Sequence, residues 1–418
     1  AQLLGFVKLW FIARLFGIGL ELDAYNLALV LPTLMASVLA GALQTGLFPV
    51  RASLAASSAT SVPAFERTVL LACTLTGLGL SVALVWTNSP MLAIFSNASE
   101  AAAHVGREAP LRLLAFVLFL NLSGDCCAYL LALRDRFAIA AAAPIANAAI
   151  STMALAIWPQ AGLTALAVGT LAGSAVQVLI CVAGLRSAGM PLMGRLLPWQ
   201  DLRQHGRRLL SLGGWILPGV VFSNLVVALP PLWIAASGEG AVSAYGYAYR
   251  LHSALLQFIF MASSTVILAR FSDLVVRGEE QEIAAVLRQA STLSAFIGVV
   301  ACFGIALLGA WSLGILFSGR FDARAADMVA RHWLILTAGL PFAILGSTFA
   351  KLWQAQGRPQ LISVMAGISL LTLYLVHELL AASLGQFAVS TAQSAAAASV
   401  VVAGVWFVTR PRRRALNG

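Results

Sequence analysis

Long apolar runs broken by short polar turns follow one another along the whole chain. Leu361–Leu375 and Ser399–Val408 contain no Asp, Glu, Lys or Arg at all. The two-residue alternation that builds a membrane barrel, apolar outward and polar inward, is missing from these runs. A hydrocarbon core roughly 30 Å thick needs about 20 helical residues to cross it. On that measure the pattern predicts twelve membrane helices, at about 1–15, 24–50, 66–87, 109–133, 137–158, 161–185, 209–235, 242–270, 284–317, 331–355, 359–380 and 387–408. The first run is short and the chain opens without a methionine, so residues upstream of Ala1 are expected to lengthen it. Pro32, and Pro218, Pro230 and Pro231, are expected to interrupt their helices, as bending points or as static bends.

Composition turns this pattern into a class. Hydrophobic residues make up 60% of the 418 positions and charged residues 10%, against about a quarter charged in a soluble domain. A soluble protein is excluded, and the fold class is an all-α integral membrane protein. The net charge of +10 sits in the turns. Arg51, Arg67, Arg134, Arg136, Arg186, Arg195, Arg203, Arg207, Arg208, Arg270, Arg277, Arg288, Arg358, Arg410, Arg412, Arg413 and Arg414 fall on one face of the predicted bundle. The opposite face has only Arg107, Arg112, Arg320, Arg324 and Arg331. Lysine and arginine collect in cytoplasmic loops, so the richer face is read as cytoplasmic, with both termini on it. Such charge matches anionic lipid and gives no reason to invoke nucleic acid. The five cysteines, Cys73, Cys126, Cys127, Cys181 and Cys302, lie in apolar context without metal or disulfide spacing, and read as packing residues.

The chain divides into two halves. The longest basic connection, 186–208, holds Pro191, Pro198 and Trp199 and reads as an amphipathic segment on the cytoplasmic surface. It separates a six-helix lobe at 1–185 from a second at 209–408, followed by a basic tail at 409–418. The halves resemble each other. Asp23–Val50 aligns without a gap on Ser243–Arg270, an offset of 220 (243 − 23), and Leu131–Arg136 pairs with Trp353–Arg358 at nearly the same offset. A parallel repeat of this kind marks transporters that hold substrate between their halves near the midplane.

Gly5-Phe6, Ala13-Arg14, Phe16-Gly17, Asp23-Ala24, Leu31-Pro32, Gly41-Ala42 and Phe48-Pro49 carry a resemblance to the opening of the lipid II flippase family, MurJ/MviN. Tyr247–Leu251 (YAYRL) resembles the family's motif in its eighth helix, and Asp135–Phe137 with Ala143-Pro144 its turn between helices four and five. The family belongs to the multidrug/oligosaccharidyl-lipid/polysaccharide exporter superfamily. The resemblance implies a MATE-like V-shaped bundle of two lobes around a cationic cavity. It implies transfer of polyprenyl-diphosphate-linked sugars from the inner to the outer leaflet of the bacterial cytoplasmic (inner) membrane. It implies no cofactor, no metal and no catalytic residue. The partners implied are the lipid-linked oligosaccharide, membrane lipids and proteins of envelope polysaccharide synthesis.

On that resemblance the family's first-helix arginines fall on Gln2 and Lys8, and those after the second-helix proline on Ala36 and Ser37. The eighth-helix arginine is kept as Arg250, while the acidic residue after it is replaced near Ser253. The family's two further C-terminal helices have no counterpart in this sequence. A less cationic cavity is therefore expected, suited to lipid II or to an exopolysaccharide precursor.

An ionisable group at membrane depth is costly and marks function by default. Lys8 is expected to contact phosphate, its alternative being to extend toward the inner face. Arg250, among Tyr245, Tyr247 and Tyr249, suits a diphosphate-sugar headgroup, and Tyr247 and Tyr249 can stack on sugars; an interfacial aromatic belt is the alternative. Asp23 reads as a helix N-cap or as half of a gating ion pair with Lys8 or Arg250. Asp125, in LNLSGDCCAYLL, is a candidate for proton coupling or a structural hydrogen-bonding residue. His252, His377 and Lys351 read as packing or interfacial residues. A drug/cation antiporter of the same superfamily and a non-transporting scaffold remain as alternatives. A metal-dependent membrane enzyme would need clustered carboxylates at the membrane face. Asp273, Glu279, Glu280 and Glu282 read as a solvated loop instead.

Overall fold

In the computed structural model the described residues are 2–57, 61–86, 108–191, 193–198, 201, 203, 216–317 and 319–409. They are mostly helical, with no strand among them. The helices are α1 (Gln2–Phe16), α2 (Leu20–Ser57), α3 (Val62–Trp86), α4 (Glu108–Leu113), α5 (Phe116–Ala132), α6 (Phe137–Ile157) and α7 (Leu163–Ser187). There follow α8 (Leu217–Ile234), α9 (Ala241–Arg277), α10 (Glu280–Leu316), α11 (Ala323–Ala338), α12 (Leu340–Ala355), α13 (Gln360–Leu384) and α14 (Phe387–Thr409). The basic tail beyond Thr409, Arg207, Arg208, Trp199 and the side chain of Gln2 lie outside the described residues.

Among the described residues, nine helical stretches are long and apolar enough to span a membrane. The bent pair α11–α12 makes ten if it is one span. The two remaining predicted spans are α1, which is 15 residues long, and α9, whose apolar run is diluted by Arg250, His252 and Gln257. The predicted helix at 331–355 is two helices bent by 41°. Gly339 stands at the bend because a Cβ there would meet the Ser394 backbone of α14 at 2.9 Å. One proline differs from expectation. Pro218 lies in the first turn of α8, where its missing N–H costs nothing, and the helix runs on through Pro230 and Pro231.

The chain forms two compact units, Ala1–Tyr247 with Ala310–Met328, and Ala248–Gly309 with Val329–Gly418. In the first, α5 is the central helix and packs on α2, α3, α6 and α7. Small residues let α7 approach α6: Gly169 and Gly173 lie four apart, and a Cβ on Gly173 would stand 2.6 Å from the Asn147 carbonyl oxygen. In the second, α14 packs on α12 and α13. Gly404 accommodates the Phe349 ring, and Phe349 stacks on Trp353 at 5.7 Å. His332 Nδ1 and Ser390 Oγ are hydrogen-bonded at 2.7 Å.

An ion cluster fastens one end of the first unit. Glu66, fully buried, accepts from Arg51 Nε at 2.8 Å and is also paired with Arg134. It joins the end of α2, the start of α3 and the turn after α5. Beside it the segment 190–198 is strapped down. Arg67 donates to the Arg195 carbonyl at 2.7 Å and to that of Met193 at 3.3 Å, and the Leu197 amide donates to Thr68 Oγ1 at 2.9 Å. Met190 and Leu197 are buried in the same core as Phe65, Cys126, Cys127 and Cys181.

Candidate functional site

At the other end of the first unit three turns converge: α1–α2, α8–α9 and α10–α11. The first passes through Gly17, whose φ of +61° is open to glycine. A Cβ there would collide with the Arg320 carbonyl of the third turn. The Arg320 amide donates to the Arg14 carbonyl at 3.2 Å, so the end of α1 and the α10–α11 turn share a backbone bond. Tyr247, 1% exposed, donates its hydroxyl to the Gly17 carbonyl at 3.1 Å and packs edge-on against Phe321. Phe317 completes the aromatic group, touching Phe6, Tyr247 and Phe321.

Asp23 is the centre of this junction. It is buried in the first turn of α2, and its carboxylate reaches the N-terminus of α9. Oδ2 accepts from the Gly240 amide at 2.7 Å; Oδ1 accepts from the Ser243 amide at 2.7 Å and from the Ser243 hydroxyl. The first amides of a helix have no partner within it and carry its positive dipole end, so a carboxylate there gains both bonds and charge. The N-cap expectation for Asp23 is corrected in one respect: the helix it caps is α9, 220 positions on, and not its own. The ion-pair expectation is corrected too, because amides and a hydroxyl, not Lys8 or Arg250, meet its charge. Ser243 is the residue that the predicted repeat aligns with Asp23.

The other predicted site residues are distributed as follows. Lys8 lies midway along α1 in the first unit and is partly buried. Tyr249, partly buried, and Arg250, exposed, lie on α9 within the second unit as divided above. Asp125 lies on α5, partly buried. Among the described residues no three His, Cys, Asp or Glu side chains cluster as a metal site would require. Sequence reasoning missed Ser243 and Gly240 as ligands of Asp23, and Glu66 as the partner of two arginines. The repeat alignment contained the first signal; the second has none in sequence, since Arg134 is 68 positions from Glu66.

This architecture is that of solved polytopic transporters. A lipid II flippase MurJ in an inward closed conformation superposes with a TM-score of 0.78 at 18% identity, over 97% of this chain and 85% of that one. A multidrug resistance MATE family transporter of the MOP superfamily, inward-facing, gives 0.77 at 16%, over 97% and 93%. The molecule is thus a multi-pass membrane protein with a transporter fold. The profile of the lipid II flippase MurJ family matches residues 12–416, and the chain belongs to that family. The probable lipid II flippase MurJ of Rhizobium meliloti (strain 1021) is 26% identical over 389 residues, 88% of this chain and 70% of its own length. The lipid II flippase MurJ of Burkholderia cenocepacia is 26% identical over 357 residues, 82% and 69%.

Proposed function

We propose that this protein moves a polyprenyl-diphosphate-linked oligosaccharide from the inner to the outer leaflet of the bacterial cytoplasmic membrane, with both termini cytoplasmic. The observation that carries this reading is the family match along residues 12–416. A diphosphate with sugars cannot cross hydrocarbon unaided, whereas a prenyl tail stays in lipid. Lys8 and Arg250 supply charge-assisted donors to the diphosphate, and Tyr249 offers an aromatic face to the sugars. The Asp23 junction lies at the outer end and acts as a latch, whose release from α9 opens the path to the outer leaflet. Gln2, Ala36 and Ser37 stand where the resemblance places cations, so the headgroup is less anionic than lipid II, in the manner of an exopolysaccharide precursor. Membrane lipids surround the tail, and envelope polysaccharide synthesis proteins supply the substrate.

Complementation tests this. The gene is expressed in cells depleted of their own lipid II flippase, and its deletion in the native host is scored for export of a secreted polysaccharide. Loss of export without rescue of the depleted cells supports the assignment to an exopolysaccharide precursor. Rescue assigns lipid II itself. Normal export in the deletion together with failure of rescue overturns the flippase reading.

A further inference from the structure

The seam between α3 and α5 is built on small residues. Cys73, Gly77 and Ser81 recur at four-residue spacing and so share one face of α3. A Cβ on Gly77 would stand 3.1 Å from Phe119 Cα and 3.5 Å from Leu122 Cδ2 of α5. Ser81, fully buried, donates to the Ala115 carbonyl at 2.9 Å, and its oxygen accepts from the Phe119 amide at 3.2 Å. Toward the other end of the seam, Glu66 of α3 pairs with Arg134 in the turn after α5. These anchors run the two helices antiparallel and fix their register. The register sets Cys73 against Cys126, and the two thiols are hydrogen-bonded to each other.

All five cysteines are free thiols, but they are not equally placed. Cys126, Cys127 and Cys181 are fully buried in the core of the first unit. Cys302 belongs to the second unit. Cys73 packs against that first core and is partly exposed. It stands on a helix long and apolar enough to span a membrane, and Leu71 and Leu75 beside it are exposed. A reagent that reaches Cys73 there arrives from lipid. The pair thus has one thiol open to an apolar reagent and a second held beside it in the core.

We propose that Cys73 and Cys126 form a reversible oxidation site, closed to a disulfide between α3 and α5 by a lipid-soluble hydroperoxide. The Cys73 sulfur attacks the peroxide, the O–O bond breaks, and an alcohol leaves with the thiol proton. Cys73 is thereby oxidised by two electrons to a sulfenic acid. The Cys126 sulfur then attacks that of Cys73, the S–O bond breaks, and water leaves with the second thiol proton. A dithiol reductant returns both thiols. The hydrogen bond already holds Cys126 beside its target, so the second step needs no rearrangement of the helices. The bond ties α3 to the central helix of the first unit, on which it chiefly packs. The site lies apart from Lys8, Arg250 and the Asp23 junction, and goes beyond the flippase reading.

The test treats the purified, reduced full-length chain with tert-butyl hydroperoxide and maps its peptides by mass spectrometry without reduction. The expected result is one cross-linked pair of peptides, carrying Cys73 and Cys126, and a free-thiol count that falls by two from five. Dithiothreitol should restore both thiols. The oxidised chain should also unfold at a higher temperature, because the link constrains the unfolded state, and Cys73→Ser should show neither the link nor the rise. Intact thiols after treatment, a sulfonic acid on Cys73 with no link, or a link made through Cys127 or Cys181 overturns the proposal. The peptide map of the unaltered chain decides the matter even where Cys73→Ser fails to fold. No lipid substrate enters the measurement, so its outcome is separate from that of complementation.

Discussion

Replacing Asp23 by asparagine tests the junction at its centre. The carboxylate accepts three hydrogen bonds, two of them from the amides of Gly240 and Ser243 at 2.7 Å. Bonds to a charged acceptor contribute about 1.5–3 kcal/mol each. Asparagine keeps one neutral carbonyl oxygen and turns an NH₂ group toward the Gly240 amide, donor against donor. One strong bond is lost outright and the others weaken, a net loss of about 3 kcal/mol. At 1.4 kcal/mol per factor of ten, that is roughly a hundredfold in the equilibrium for opening the first turn of α9. Hydrogen exchange reads this directly, because amides freed by local opening exchange in proportion to that equilibrium. The amides of Gly240 and Ser243 should exchange about a hundredfold faster in Asp23→Asn, with Ser243→Ala intermediate at about tenfold, one charge-assisted bond being lost. Exchange in Asp23→Asn within about threefold of the unaltered protein would refute the argument, since a change below ~0.7 kcal/mol is too small for a charge-assisted cap.

Glu66→Ala should lower stability by about 2–3 kcal/mol in thermal unfolding; the usual cost of breaking a buried pair is discounted because Arg51 is 26% and Arg134 16% exposed. Gly173→Ala should cost about 1–3 kcal/mol through overpacking against Asn147, while Gly79→Ala, with nothing within 4 Å of its Cβ, should be neutral or slightly stabilising; equal melting points for the two would contradict the packing described. Lys8→Ala and Arg250→Ala should each reduce transport about tenfold or more, the value of one charge-assisted contact, at unchanged protein levels. Transport at unaltered rates in both would remove the cationic contacts from the mechanism.

The helical class and the multi-pass topology are legible in the sequence because they rest on run length and hydropathy, which bilayer thickness constrains directly. Helix ends are less so. The helix predicted at 24–50 extends over Leu20–Ser57, because Glu21 and Arg51 lie where an apolar window stops while the backbone bonds continue. The break at Gly339 is invisible for a different reason: it answers the close approach of Ser394, a contact between segments far apart in sequence. Asp23 was legible as a cap by its residue type, but not its target, because geometry alone brings α9 to it. Tyr247, predicted to face sugars by its aromatic neighbourhood, has its hydroxyl on Gly17 and its ring against Phe317 and Phe321; residue type gives the chemistry a side chain can do, and packing decides where it stands.

The Glu66 cluster also sets an order of assembly during synthesis. Arg51 and Glu66 are 15 positions apart and meet as soon as α2 and α3 have left the ribosome. Arg134 follows Glu66 by 68 positions, roughly 3–14 s later at 5–20 residues per second. Through that interval the carboxylate is met by Arg51 alone, and its second oxygen gains its arginine only when Arg134 follows α5. The arrival of Arg134 closes three helices around a single carboxylate, so this end of the first unit is complete only once its fifth helix is made.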